Sequence, residues 1–159
     1  MIEVVRSGRV AASPERVWRL VSRPERAPER LSPTEGVDII SGSGCGQRWR
    51  GHGRWGERPS EVDAEVVEHR RPLVVAWRHL AERVDGEPAP VFAASTVFRV
   101  ELEPSGGGTL VRPRSVQEPA SAVRGVLVKL FGSKEIACGV ERALARLADV
   151  LRPPGKLVP

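Results

Sequence analysis

Phe92-Ala93-Ala94-Ser95-Thr96-Val97-Phe98-Arg99-Val100-Glu101-Leu102-Glu103 alternates along its length. Phe92, Ala94, Thr96, Phe98, Val100 and Leu102 fall on one side, and Arg99, Glu101 and Glu103 on the other. Side chains of a strand point to its two faces in turn, so this stretch is a strand with one dry and one wet face. Pro104-Ser105-Gly106-Gly107-Gly108 follows as a hairpin turn, and Thr109 to about Gln117 returns as the next strand. Pro113 inside that strand has no N–H to donate, which predicts an edge or a bulge. The pattern then changes period. Val123, Leu127, Leu130, Phe131, Ile136, Val140, Leu144, Leu147 and Leu151 recur every three or four residues, the stripe of a long amphipathic helix. Gly132-Ser133 is a point where it kinks or splits, with Ser133 as a fresh N-cap. Pro153-Pro154 ends it, leaving 153–159 as a flexible tail.

Upstream the chain is a run of strands. Residues 84–90 read as a loop, 73–80 as a strand with Leu73, Val75, Trp77 and His79 on one face, and 60–69 as its partner. In residues 47–55, Gln47, Trp49, Gly51, Gly53 and Trp55 share one face while Arg48, Arg50, His52 and Arg54 share the other. Gly42-Ser43-Gly44-Cys45-Gly46 is a turn or bulge; its spacing is wrong for a phosphate loop and no helix follows it. Residues 37–40 form a short strand. Ser13-Pro14-Glu15-Arg16 starts a short helix over about 14–22, serine capping and proline in the first turn. Pro24 begins a second short helix to about Leu31, and residues 2–10 make the first strand. Strands in a run with helices segregated at the ends mean an α+β domain. A sheet of about seven strands curls, and the terminal helix is the long apolar element left to cover its concave face. The domain is expected to span 1–152.

Composition narrows the function. The chain has 159 residues, 28% of them charged and 40% hydrophobic, the balance of one soluble domain. No apolar run reaches the roughly 20 residues of a membrane helix, so no membrane insertion is expected. Met1 to Arg6 lacks a basic segment followed by an apolar one, so a cytoplasmic location is expected. Cys45 and Cys138 are expected as free thiols. The net charge of +5 comes from arginines interleaved with glutamates rather than from a basic block, so nucleic acid is not expected as a partner. His52 is expected on the outer, arginine-rich face and His69 exposed beside a turn. Three scattered histidines without nearby cysteine or carboxylate ligands predict no metal site, and no motif predicts a cofactor.

Five stretches stand out together: Val10-Ala11-Ala12-Ser13-Pro14-Glu15-Arg16-Val17-Trp18, Gly46, Pro72-Leu73-Val74-Val75-Ala76-Trp77, Val97-Phe98-Arg99-Val100-Glu101-Leu102-Glu103-Pro104 and Gly107-Gly108-Thr109. In this order they resemble the START/Bet v-like (SRPBCC) superfamily, and within it the polyketide cyclase/dehydrase-like family. The resemblance spans nearly the whole chain. It implies a helix-grip fold with a deep cavity between sheet and C-terminal helix. It also implies an apolar small-molecule ligand, such as a polyketide or lipid, either carried or, in some members, cyclised or dehydrated. The inward faces then supply a lining of Trp49, Trp55, Trp77, Thr96, Phe98, Val111, Leu127 and Phe131. His79 shares a face with Trp77 and is the candidate proton-transfer group. Arg114 or Arg112, depending on register, or Thr96 is the candidate donor to a developing enolate oxygen. The alternatives are an apolar carrier, a protein-interaction module with a collapsed cavity, and, furthest off, RNA binding. A monomer or homodimer is expected.

Overall fold

The strands take the pairing that their alternation requires. The computed structural model describes residues 2–26, 34–89, 93–119, 121 and 133–151. Within them run β1 (Ile2–Val5), β2 (Gly8–Val10), α1 (Pro14–Val21), a 3₁₀ turn (Pro24–Arg26), β3 (Gly36–Ser41), β4 (Arg48–Trp55), β5 (Arg58–Arg70), β6 (Val74–Val84), β7 (Glu87–Pro88), β8 (Ala93–Ser105), β9 (Gly108–Pro119) and α2 (Ser133–Val150). One antiparallel sheet runs in the order β1-β9-β8-β6-β5-β4-β3, with β2 also on β9 and β7 on β6. The expected path of about seven strands is therefore present, with two short additional strands. The far end of the second expected helix, Leu127, Phe131 and the tail 153–159 lie outside the described residues.

The additions have local causes. Residues 84–90, expected as a loop, begin instead with a tight hairpin. Asp85 and Gly86 both have positive φ, 54° and 78°, the twist that an Asp-Gly pair supplies, and Glu87–Pro88 folds back on β6. Pro113 was expected at an edge or bulge, yet β9 is interior, between β8 and the β1/β2 pair. The first strand breaks there instead. Pairing to β1 ends at Val5↔Arg114 and resumes at Gly8↔Val111. The Pro113 carbonyl still accepts the Arg6 N–H at 3.1 Å, on the side where a proline has nothing to donate.

The concave face collects the core. Trp77↔Phe98 and Val75↔Val100 are cross-strand pairs of β6 and β8. Val17, Trp18, Leu20 and Val21 of α1 are buried with them. Ser13 caps α1 as expected, its Oγ accepting from the Arg16 N–H at 3.3 Å. Leu144 of α2 lies where a side chain at Gly8 would point, and Leu147 and Leu151 are buried against the same core. Gly108 is required where β9 starts, because a Cβ there would collide with the Val10 carbonyl. The convex face is ionic. Arg50 donates to Asp63 at 2.7 Å, Arg83 to the same carboxylate at 3.0 Å, and Arg99 bridges Glu68 and Glu101.

This packing makes two contacts testable. The buried Thr109 hydroxyl donates to the Ala12 carbonyl at 2.7 Å and ties β9 to the start of α1. Thr109→Val leaves that carbonyl unpaired and should cost about 1–3 kcal/mol, seen as a lower urea midpoint at unchanged slope. The hydrogen bond from Arg50 holds the Asp63 carboxyl at about 2, below its ordinary 3.8. A lowered folded-state value stabilises above the unfolded value and is lost as pH falls through the folded one. The stability gap between wild type and Asp63→Asn should therefore be constant above about pH 5 and close between about pH 4 and pH 2 in urea titrations at fixed pH.

Candidate functional site

Among the described residues two sizeable cavities open on the concave face. The larger, about 340 Å³, is bounded by β4, β5, β6 and β8 through Trp49, Gly51, Val62, Trp77, His79 and Phe98, with Thr34 and Ser60 beside them. The smaller, about 260 Å³, lies between the sheet and α2, against Val100, Pro113, Ile136, Gly139, Val140 and Ala143. Trp77 and Phe98 line both. Their rings stack at 5.9 Å and 27°, so one cross-strand aromatic pair is the wall between the two spaces. The larger cavity also depends on missing side chains. The Trp49 ring passes within 3.1 Å of where a Cβ on Gly51 would stand, so the indole lies over that glycine. Gly139 has open space in front of it on α2.

The expected lining residues divide. Trp49, Trp77 and Phe98 line the larger cavity. Val111, 1% exposed, belongs to a small gap under α2 with Leu144 and Leu147. Thr96 is half-buried and lines neither main cavity. Trp55 is a correction: it keeps the register of Trp49 but stands at the β4–β5 hairpin, 56% exposed, past the end of the cavity. Period two gives a side chain's face; it does not say where along the strand the covering layer stops.

The arginine candidates divide as well. On β9 the inward positions are Thr109, Val111 and Ser115, all buried, so Arg112 and Arg114 turn to the convex face. There Arg114 Nε is 3.5 Å from Glu3, and Arg112 stands 3.7 Å from Glu101. Arg114 nonetheless borders the smaller cavity, whereas Arg112 borders neither. Ser115, opposite Phe98, keeps a buried hydroxyl with no hydrogen-bond partner among the described residues, but it does not line either main cavity.

His79 is where its register puts it, on the concave face, 18% exposed and 5.1 Å from the Phe98 ring. Its Nδ1 is 2.6 Å from Glu82 Oε1. Sequence reading missed this partner, since residues three apart on a regular strand face opposite ways. A bulge brings them together. Ala64 pairs with His79 and Asp63 with Ala81, so Leu80 is the extra residue and Glu82 returns to the face of its partner Val62. The hydrogen bond from His79 holds the Glu82 carboxyl below its ordinary value, against the opposing effect of burial. A second bulge, at Val67, turns His69 inward, where its ring meets Trp18 edge-on at 5.0 Å. His69 is thus half-buried, not exposed as expected. His52 borders the cavity, but its ring pairs on the convex side with Asp38 at 2.8 Å.

The arginines of β4 are matched as well. Arg48, Arg50 and Arg54 stand 3.6, 2.7 and 3.0 Å from Glu65, Asp63 and Glu35. Each positive charge on that face is thus spent on a carboxylate rather than presented as a bare row to phosphates. Among the described residues no helix is long and apolar enough to cross a membrane. Cys45 and Cys138 are free thiols.

Solved structures repeat the architecture. A START superfamily protein from Mycobacterium smegmatis superposes with a TM-score of 0.73 at 17% identity, covering 94% of this chain and 96% of its own. A protein from Thermus thermophilus gives 0.72 at 20% identity, covering 94% and 97%. Ginseng major latex-like protein 151 from Panax ginseng gives 0.70 at 13% identity, covering 96% and 98%. At such identities the likeness shows the fold alone, a START/Bet v1-like one. No curated protein matches the sequence. Residues 1–152 match the family described as polyketide cyclase / dehydrase and lipid transport, and the chain belongs to that family.

Proposed function

We propose that this protein binds an apolar small molecule, a polyketide, lipid or similar metabolite, between its sheet and α2. The observation that carries this reading is the pair of adjoining cavities with a shared Trp77–Phe98 wall. Ligand pockets run from roughly 300 to 1,000 Å³, mostly apolar with a few placed polar groups. The larger cavity alone is in that range, and its polar side chains are few. Burying apolar ligand surface at roughly 25 cal/mol per Å² supplies the driving force.

A long-chain fatty alcohol such as oleyl alcohol should quench the indole fluorescence saturably, best read in a Trp55→Phe background that removes the solvent-exposed signal. Gly139→Leu projects a side chain into the smaller cavity and replaces a poor helix former. It should weaken that binding at least about tenfold while leaving the urea midpoint equal or higher. No saturable response to fatty alcohols or to fused-ring aromatics would reject the reading.

The His79–Glu82 pair supports a second reading, a cyclase or dehydrase acting on a bound poly-keto chain. A neutral imidazole, oriented by a carboxylate, removes a proton from carbon flanked by two carbonyls. The resulting enolate attacks a further carbonyl of the same chain, closing the ring as that C=O becomes an alkoxide, and the imidazolium returns its proton to the alkoxide. General base catalysis of this kind contributes about 10²–10⁴-fold. If the reading holds, a poly-β-ketone thioester should be converted to a cyclic product, and His79→Ala should lower turnover by that factor at saturating substrate. Equal product formation with and without the protein would leave carriage as the function.

A further inference from the structure

Each of the two cavities has a few polar groups among mostly apolar walls. Ser60, Thr34 and His79 lie on the larger one. The smaller one is walled by Val100, Pro113, Ile136, Gly139, Val140 and Ala143, with Arg99 and Arg114 also on its boundary. His79 marks the polar end of the larger space.

The chemistry of the polar end follows from the bulge at Leu80. A carboxylate only accepts hydrogen bonds, so the Nδ1 atom that meets Glu82 at 2.6 Å is the one that carries a proton. In the neutral imidazole the other nitrogen, Nε2, then has a lone pair and no proton. Among the described residues Nε2 makes no hydrogen bond, and the ring it belongs to lines the cavity. Such an atom accepts from a donor. It does not suit a carboxylate, which would meet a lone pair beside the Glu82 charge.

We infer that the ligand enters the larger cavity with a hydroxyl foremost, an alcohol, phenol or enol donating to Nε2 of His79, and that Glu82 is the positioning residue that holds the neutral ring's proton on Nδ1. This rests on the cavity reading and adds the class of head group. The apolar remainder lies along Trp77 and Phe98 toward α2. For an enol-bearing chain the same contact holds the group whose proton is mobile.

Three probes on one ring system test it at pH 8: 2-naphthol, 2-methoxynaphthalene and 2-naphthoate. The wild type should bind the naphthol about three- to tenfold more tightly than the ether, the worth of one hydrogen bond, and the carboxylate most weakly. His79→Ala should bring the naphthol-to-ether ratio to about one. Glu82→Ala should lower the ratio and leave the ether's affinity unchanged. Nitrogen-15 NMR of the histidines should show His79 with Nδ1 protonated in the wild type and shifted toward the Nε2-protonated form in Glu82→Ala, which a merely structural glutamate would not cause. Equal binding of naphthol and ether, or a protonated Nε2 in the wild type, overturns the head-group assignment while the cavity reading stands. Failure of all three probes to bind overturns the cavity reading and this inference together.

Discussion

The Trp77–Phe98 pair is the contact on which the rest of the architecture turns. It joins β6 to β8 at the middle of the sheet, and its stacked rings are large enough to separate two spaces. Aromatic pairs across strands gain both from buried area and from ring geometry. The flanking pair, Val75↔Val100, is smaller, so the surface falls away from the aromatic wall toward α2. A concave sheet with a tall central ridge does not close fully against one helix. The cavities are what remains.

The opposite face obeys the same alternation with different chemistry. Arg50, Asp63, Arg83 and Glu61 sit as cross-strand neighbours on β4, β5 and β6. Exposed pairs of this kind each contribute little, about 0–1 kcal/mol. Their larger effect is on partners: a chain with a net charge of +5 and a pI near 10.2 presents arginines whose fields are largely cancelled at contact distance. Global charge would mislead about this surface, because pairing is local and net charge is a sum.

Much of the fold was legible in order and period. The strand at 93–105, the Ser13 cap, the change to a helical stripe after the last strand and the inward set Trp49, Trp77, His79 and Phe98 all follow from side-chain periodicity. The misses share a cause. Trp55 has the right parity but lies beyond the covered part of β4. Pro113 does not mark an edge, because the neighbouring strand is the one that yields. Arg114 alternates outward once the buried Ser115 sets the register of β9. Each outcome depends on what lies beside a strand, which its own residues do not encode.

Glu82 shows the division most sharply. A long antiparallel sheet followed by a covering helix can be read from the residues alone, since hydrophobic period is a local property that each segment carries. Period two also put the His79 imidazole on the strand face of Trp77. Only the tertiary structure decided that the imidazole has a carboxylate partner, because one extra residue at Leu80 reverses the facing of everything after it on β6. A bulge arises where two strands of unequal local length must keep pairing, and that mismatch exists only between them.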